Sequence, residues 1–209
     1  MGMEMNPEGW PSAGGELTPW EQRERLGLFR GLYRTLKGIA LSPRTFFDGL
    51  RPETPWTEAL WYGWLVQAIF GVVGALLYLV PLLARYGGAL PSPSRLGGYL
   101  ILPLAPVVLY PAVVLVLAGL VHTLALLMHG THRGINATLR AICYSGVALT
   151  LLVSLGSLGL WGLFVAVYAL ASLQQTTPSR AAFALVTAEL LLGVAVVVPL
   201  AIFLGRDLP

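Results

Sequence analysis

Five polar side chains interrupt segments of this sequence that are otherwise apolar: Glu189, Arg140, His122, Tyr144 and Gln67. Glu189 lies about 13 Å along the last apolar segment if that segment is a helix rising roughly 1.5 Å per residue, which is close to mid-bilayer. A carboxyl group at that depth costs roughly 2.5 kcal/mol or more unless it is protonated or paired. Arg140 and Tyr144 are one helical turn apart and share a face. We therefore predict a buried polar cluster in which these side chains surround Glu189.

The predicted cluster has a structural and a functional interpretation. In the first, it is an interhelical hydrogen-bond network that fixes how the helices pack, and we favour this interpretation. In the second, Glu189 and His122 relay protons or ions, because proton-coupled carriers use intramembrane Glu and His.

The sequence contains no other pattern typical of catalysis or metal binding. His122, His129 and His132 are close in sequence, but no Cys, Asp or Glu near them completes a zinc shell, so we predict no metal site. A glycine-rich phosphate loop, a serine elbow and a zinc-helix motif are missing. The single Cys143 excludes an intramolecular disulfide. We expect no enzyme activity and no cofactor.

Composition places these residues in a membrane protein. The chain has 209 residues, of which 56% are apolar and 11% charged, whereas a soluble domain carries roughly 25% charged residues. Apolar runs of about 20 residues predict transmembrane helices. We predict an all-α polytopic membrane protein whose membrane domain covers residues 56–204. Its five predicted spans are residues 56–84, 99–128, 136–155, 158–173 and 179–204.

The N-terminal quarter of the chain is different. Residues 1–17 are rich in breakers, show no periodicity and do not resemble a signal peptide, so we predict a disordered tail. Thr18 and Glu21 have the spacing of a helix capping box. Residues 18–50 then predict amphipathic helices lying in the headgroup layer, with packing on a partner protein or on the chain's own loops as the alternative. The apolar stripe comprises Leu26, Phe29, Tyr33, Leu36 and Ala40. The basic residues predicted to meet anionic lipids are Arg23, Arg30, Arg34, Lys37 and Arg44.

The distribution of basic residues predicts the orientation. With five spans, ten of the 13 Lys and Arg lie on the side of the N-terminus, and three (Arg85, Arg95 and Arg206) lie on the other. The positive-inside rule then places the N-terminus in the cytoplasm and the C-terminus outside. Because the basic residues flank membrane spans, we do not expect nucleic-acid binding.

Several short motifs, in this order and spacing, resemble the Yip family of membrane domains, named for Ypt/Rab-interacting proteins. They are Ser42-Pro43, Phe46-Phe47, His122, Gly130, Ala137-Thr138-Leu139-Arg140, Tyr144-Ser145, the turn from Gly156 to Trp161, and Ser179-Arg180-Ala181. The resemblance covers residues 41–186 and implies a cytoplasmic N-terminal segment and a five-helix bundle. For eukaryotic members it implies Rab binding, but this chain lacks their Asp-Leu-Tyr-Gly-Pro motif. It is similar to the compact bacterial branch, which implies the bacterial inner membrane. Relatives often have His where this chain has Gln174 and Gln175.

These observations favour a non-catalytic membrane adaptor or organiser that acts through its basic N-terminal segment. The alternatives are a transporter or channel component that uses the Glu189 cluster, and a lipid-handling protein. A protein partner is expected but not identified, and a homo-oligomer is compatible with the sequence.

Overall fold

The computed structural model describes residues 17–51, 54–85, 92–129, 131, 133–153 and 159–205. All regular elements within these ranges are α-helices, which confirms the predicted all-α class. The predicted tail, apart from Leu17, lies outside the described residues, and so does His132.

The described residues form eight helices. They are α1 (Arg23–Leu26), α2 (Leu28–Leu41), α3 (Pro43–Asp48), α4 (Trp56–Arg85), α5 (Pro93–Leu127), α6 (Ile135–Val153), α7 (Gly159–Gln174) and α8 (Pro178–Gly205). Helix α5 begins six residues before the predicted start at residue 99. Pro93 accounts for the difference, since proline is well suited to the first helical position.

Three of these helices are long and apolar enough to cross a bilayer. The qualifying stretches are Trp56–Arg85, Leu104–Leu127 and Pro178–Ala195, in α4, α5 and α8. Their outward surfaces carry exposed aliphatic side chains such as Leu77, Val108 and Leu190. A soluble protein rarely exposes such apolar surfaces. These helices indicate an integral membrane protein.

Helices α6 and α7 are shorter and form a closely packed antiparallel pair. At 1.5 Å per residue they are roughly 28 Å and 24 Å long, against about 30 Å for the hydrocarbon core of a bilayer. Among the described residues, α6 also packs against α4 and α5, whereas α8 packs against α5 and α7.

Hydrogen bonds gather the helix ends at one side of the molecule. The Trp56 backbone N–H donates to Asn136 Oδ1 at 3.0 Å, and Arg180 donates to the His129 carbonyl at 3.2 Å. The N-termini of α4, α6 and α8 therefore lie together with the C-terminus of α5. The C-terminus of α7 is at the same side, because only three residues separate it from α8. We call this side the loop end.

The N-terminal segment does not continue as a helix directly from the predicted capping box at Thr18. Residues 19–22 form a turn, and helix α1 is only four residues long. Gly27, with φ of 86°, separates α1 from α2. The helix breaks there because this left-handed conformation cannot continue an α-helix and is favourable only for glycine.

A close approach at Gly63 holds α4 against its neighbours. A Cβ atom built on Gly63 would overlap the Tyr110 hydroxyl of α5 and lie 3.0 Å from the Cys143 carbonyl oxygen of α6. The Tyr110 hydroxyl donates to that same carbonyl at 3.3 Å. Glycine therefore allows three helices to meet at this level.

We expect Gly63→Ala to lower the free energy of unfolding by about 1–3 kcal/mol, because the added methyl group overpacks this crossing. Thermal unfolding in detergent measures the change, and Gly119→Ala in α5 is the control, since nothing lies within 4 Å of its added Cβ. Tyr110→Phe in the Gly63→Ala background should recover part of the loss. Equal melting temperatures for the Gly63→Ala and Gly119→Ala variants would contradict this account.

Candidate functional site

The centre of the site is an ion pair between the membrane helices and the N-terminal segment. Arg140 on α6 has 0% of its side chain exposed, and its Nη2 lies 2.6 Å from Oε1 of Glu21, whose side chain is 3% exposed. The two residues are 119 positions apart in the sequence. A buried guanidinium requires a counter-charge, and Glu21 supplies it.

The turn that carries Glu21 holds the carboxylate in place. The Glu21 backbone N–H donates to Thr18 Oγ1 at 3.1 Å, and Glu21 Oε2 accepts the Thr18 backbone N–H at 2.8 Å. These are the two reciprocal bonds of the predicted capping box. The Tyr144 hydroxyl lies 3.1 Å from both Glu21 Oε1 and Thr18 Oγ1. We call Thr18, Glu21, Arg140 and Tyr144 the Arg140 cluster.

The guanidinium of Arg140 does not use all of its donors on Glu21. Its Nη1 donates to the Arg51 carbonyl, in the segment that joins α3 to α4. Its buried Nε has no hydrogen-bond partner among the described residues. The cluster therefore joins the N-terminal segment, the connection before α4 and helix α6 through one cation.

Aromatic rings exclude water from the Arg140 cluster. The Tyr144 ring contacts Phe46 of α3 and Tyr62 of α4, with ring centroids 5.9 Å and 5.4 Å away. Trp20 covers Tyr62 from the N-terminal segment at 5.6 Å. All four rings are buried. Electrostatic attraction between Arg140 and Glu21 is stronger in this environment than it would be in water.

A second ion pair attaches the N-terminal segment to the start of α4. Arg23 Nη1 lies 2.5 Å from Glu58 Oε2, and both side chains are about one third exposed. The hydrogen bond that Arg23 donates to this carboxylate raises the pKa of Arg23 above its ordinary value. Trp20 adds two bonds, from its indole N–H to the Glu58 carbonyl at 3.0 Å and from its backbone N–H to Thr35 Oγ1 at 2.9 Å.

The predicted cluster around Glu189 is corrected by these contacts. Arg140 pairs with Glu21 and not with Glu189, which is half-buried and has no hydrogen bond or ion pair among the described residues. The reason lies in the helix arrangement, since α8 packs against α5 and α7 rather than along α6. Arg140 and Tyr144 do meet as predicted, and Arg140 Cζ lies 5.9 Å from the centre of the Tyr144 ring.

His122 belongs to a separate network near the loop end. Its Nδ1 lies 2.9 Å from Thr138 Oγ1, which also accepts a bond from Gln174 Nε2 at 2.6 Å. Gln174 Oε1 accepts the Arg133 backbone N–H at 3.2 Å. This buried amide therefore links the end of α7 to the residues just before α6. Gln67 is buried in α4 and makes no hydrogen bond to the described residues.

The remaining predicted site residues lie on the surface of the N-terminal helices. Arg30, Arg34 and Lys37 are exposed on α2, whereas Arg44 on α3 lies over the Tyr168 ring of α7 at 5.6 Å. Within the described ranges no three His, Cys, Asp or Glu side chains lie close enough together to hold a metal ion.

The sequence analysis did not predict that Glu21 and Gln174 belong to buried hydrogen-bond networks. For Glu21 a signal existed, because Arg140 inside an apolar segment needs an acid and the whole chain has only ten Asp and Glu. The capping pattern accounted for one Glu21 oxygen and left the second unassigned. Gln174 gave no such signal, because a glutamine beside a predicted loop has no charge that must be paired.

Glu21→Gln should lower the free energy of unfolding by about 3–5 kcal/mol, since it leaves the Arg140 charge buried and unpaired. For a chain of this size we expect the melting temperature to fall by roughly 10 °C. The double variant Glu21→Gln/Arg140→Gln should lose less than the sum of the two single variants, because no lone charge remains.

Glu189→Gln is the matched control, because it makes the same chemical change at a carboxyl group without a described partner. We expect its melting temperature to stay within a few degrees of the wild type. If Glu189→Gln destabilises the protein as much as Glu21→Gln does, the assignment of Glu21 as the partner of Arg140 fails.

Comparison of this chain with known protein families, with curated proteins and with solved structures found no match. The resemblance to the Yip family therefore stays a prediction that rests on the motifs quoted above.

Proposed function

We propose that this chain is a non-catalytic membrane protein of the Yip type that organises anionic lipids, and through them a protein partner, at the cytoplasmic surface of a bacterial inner membrane. The observation that carries the proposal is the arrangement of helix α2, which presents three different faces.

The first face of α2 packs on the protein itself. It consists of small or buried residues at helical spacing: Gly31, Thr35, Gly38 and Ile39. Glycine at position 31 is required there, because an added Cβ would lie 2.8 Å from the Pro19 carbonyl oxygen. This face fixes α2 on the bundle.

The second face is apolar and points away from the protein. Phe29 is 82% exposed and Tyr33 is 64% exposed, and Leu36 and Ala40 continue the same strip with partial exposure. The third face, next to it, carries the exposed Arg30, Arg34 and Lys37. A helix with an apolar face beside a basic one is suited to the headgroup layer, where rings enter the acyl boundary and cations meet phosphates.

The apolar face of α2 is continuous with the outer surface of α7. The Trp161 indole N–H donates to the Ala40 carbonyl at 3.1 Å, and Trp161 stacks on Phe164 with ring centroids 5.1 Å apart. Both rings are partly exposed, and Leu160 beside them is more so. Trp161 is 13 residues from the C-terminus of α7, or roughly 20 Å from the loop end, so the last turn of α2 lies beside the outer surface of α7. One lipid-contacting surface covering both helices fits this continuity.

The topology that we propose is five spans, α4 to α8, with the N-terminus in the cytoplasm. The loop end is compatible with it, because helices that cross in alternating directions bring the starts of α4, α6 and α8 to one side. On this topology ten of the 13 basic residues belong to that side, as the positive-inside rule requires of the cytoplasmic face.

The structure does not favour the transporter alternative, which depended on a cluster formed around Glu189. The lipid-handling alternative differs from our proposal in requiring that a lipid moves, and the contacts of α2 provide surface binding only.

The orientation of α2 can be tested with spin labels placed on its two outward faces in lipid nanodiscs. We would use Phe29→Cys and Arg34→Cys in a Cys143→Ala background, with Leu77→Cys on α4 as the reference for lipid exposure. We expect the label at position 29 to be relaxed by oxygen, as at position 77, and the label at position 34 by a water-soluble nickel chelate. Equal nickel accessibility at positions 29 and 34 would contradict the proposal.

The lipid preference can be tested by neutralising the basic face. Each Lys or Arg near an anionic surface contributes about 1 kcal/mol, so Arg30→Gln/Arg34→Gln/Lys37→Gln should reduce enrichment of a fluorescent anionic lipid around the protein at least about tenfold. Arg85→Gln, at the opposite end of α4, is the control and should leave the enrichment unchanged. If the triple variant keeps the wild-type enrichment, α2 is not the lipid-binding element.

Substitution on the α2 surface is a better test of partner binding than deletion of residues 1–41. The deletion would also remove Glu21, and loss of binding would then be indistinguishable from loss of stability. The triple variant leaves the Arg140 cluster intact.

A further inference from the structure

We propose that Arg140 and Tyr144 form a binding site for the phosphate group of an anionic lipid, and that Glu21 occupies this site in the present structure. The site is distinct from the basic face of α2. Its occupancy by lipid requires that the segment from Thr18 to Arg23 moves away from α6.

The hydrogen bonding of Arg140 favours a ligand with more oxygen atoms than Glu21 offers. The Nη2 and Nε groups lie on one edge of a guanidinium and bind two oxygens of a phosphate or carboxylate side by side. In this structure Nη2 meets Glu21 Oε1, whereas Nε is buried without a partner among the described residues. Glu21 Oε2 does not accept from Nε in this structure and instead accepts the Thr18 N–H at 2.8 Å. A phosphate group could satisfy both donors.

Tyr144 supplies a third donor for the same ligand. Its hydroxyl lies 3.1 Å from Glu21 Oε1, the oxygen that Arg140 also binds. Both side chains belong to α6 and remain in place if the N-terminal segment moves. The carboxylate oxygen of Glu21 therefore marks a position where two fixed donors converge on an anion.

The side chains around the site are apolar and suit the glycerol and acyl part of a lipid next to its phosphate. Trp20 packs on Tyr62 with ring centroids 5.6 Å apart, and it would leave with the N-terminal segment. The Tyr62 and Phe46 rings would then line an apolar slot next to Arg140. Arg140 is five residues beyond the start of α6, or about 8 Å along the helix. Its guanidinium reaches back to the Arg51 carbonyl in the connection at the loop end, which brings the charge within reach of headgroups on the proposed topology. A free phosphate ion would use the donors but not the aromatic walls.

The contacts that must break for exchange are those of the Thr18, Trp20 and Glu21 side chains, which are buried. The rest of the attachment is weak, because helix α1 has four residues, none of them buried, and the Arg23–Glu58 pair is partly exposed. A partly exposed ion pair contributes little to stability. Because Arg140 cannot remain buried without a counter-charge, release of Glu21 and binding of an anion are coupled. Segment and lipid therefore compete for one cation.

Glu21→Gln tests the proposal, because it removes the resident anion and leaves both donors. We would compare melting temperatures in nanodiscs of phosphatidylcholine alone and of phosphatidylcholine with phosphatidic acid. We expect phosphatidic acid to raise the melting temperature of Glu21→Gln by at least about 5 °C more than that of the wild type, since it restores a partner for a buried charge. The double variant Glu21→Gln/Arg140→Gln should respond only as the wild type does.

The wild type and the two variants share the α2 surface, so its contribution to the lipid response cancels in the comparison. Failure of the proposed function would reduce the response of all three, whereas failure of the present inference would make the Glu21→Gln response equal to that of the double variant. Inorganic phosphate added to phosphatidylcholine nanodiscs is the second arm, and we expect no shift of the Glu21→Gln melting temperature. A shift as large as that caused by phosphatidic acid would overturn the assignment to lipid.

A second variant keeps the test usable if Glu21→Gln does not fold. Glu58→Gln removes the exposed ion pair of the segment and leaves Glu21 and Arg140 in place. Native mass spectrometry should then find one more phosphatidic acid retained on Glu58→Gln than on Glu58→Gln/Arg140→Gln. Equal numbers of retained lipids would overturn the proposal.

Discussion

The requirement that a buried arginine be paired organises the loop end of this protein. Arg140 lies within an apolar helix, and its charge is stable there only because Glu21 and the Arg51 carbonyl reach it. Those two contacts determine where the N-terminal segment and the connection before α4 must lie. Trp20, Phe46, Tyr62 and Tyr144 then fill the space around the pair. The position of α2 follows, because Trp20 bonds to Thr35 on its inner face.

The sequence predicted those features that depend on local spacing. Apolar length predicted α4, α5 and α8, and the capping box correctly predicted the bonds between Thr18 and Glu21. The pairing of Arg140 depends on a contact across 119 residues, and helix periodicity contains no information about it. Glu189 was a reasonable alternative partner by depth alone. Depth does not specify which helices are neighbours, and α8 packs away from α6.

Polar contacts and apolar surface are separated along the molecule. The Arg140 cluster, the Gln174 network and the Arg23–Glu58 pair all lie towards the loop end. The outer surfaces of α4, α5 and α8 are mainly aliphatic, and lipid is their natural solvent. The polar contacts therefore control how the connections and the N-terminal segment are held, whereas close packing at residues such as Gly63 holds the helices themselves.

The sequence separation within the central ion pair also has a consequence for biosynthesis. Glu21 emerges from the ribosome long before Arg140, and two long apolar helices, α4 and α5, are made in between. The N-terminal segment must therefore wait without its partner until α6 has been delivered to the membrane. Docking of Glu21 is a late event in assembly, and a nascent chain that stalls before α6 keeps its N-terminal segment free. Accessibility of that segment consequently distinguishes incomplete chains from finished ones.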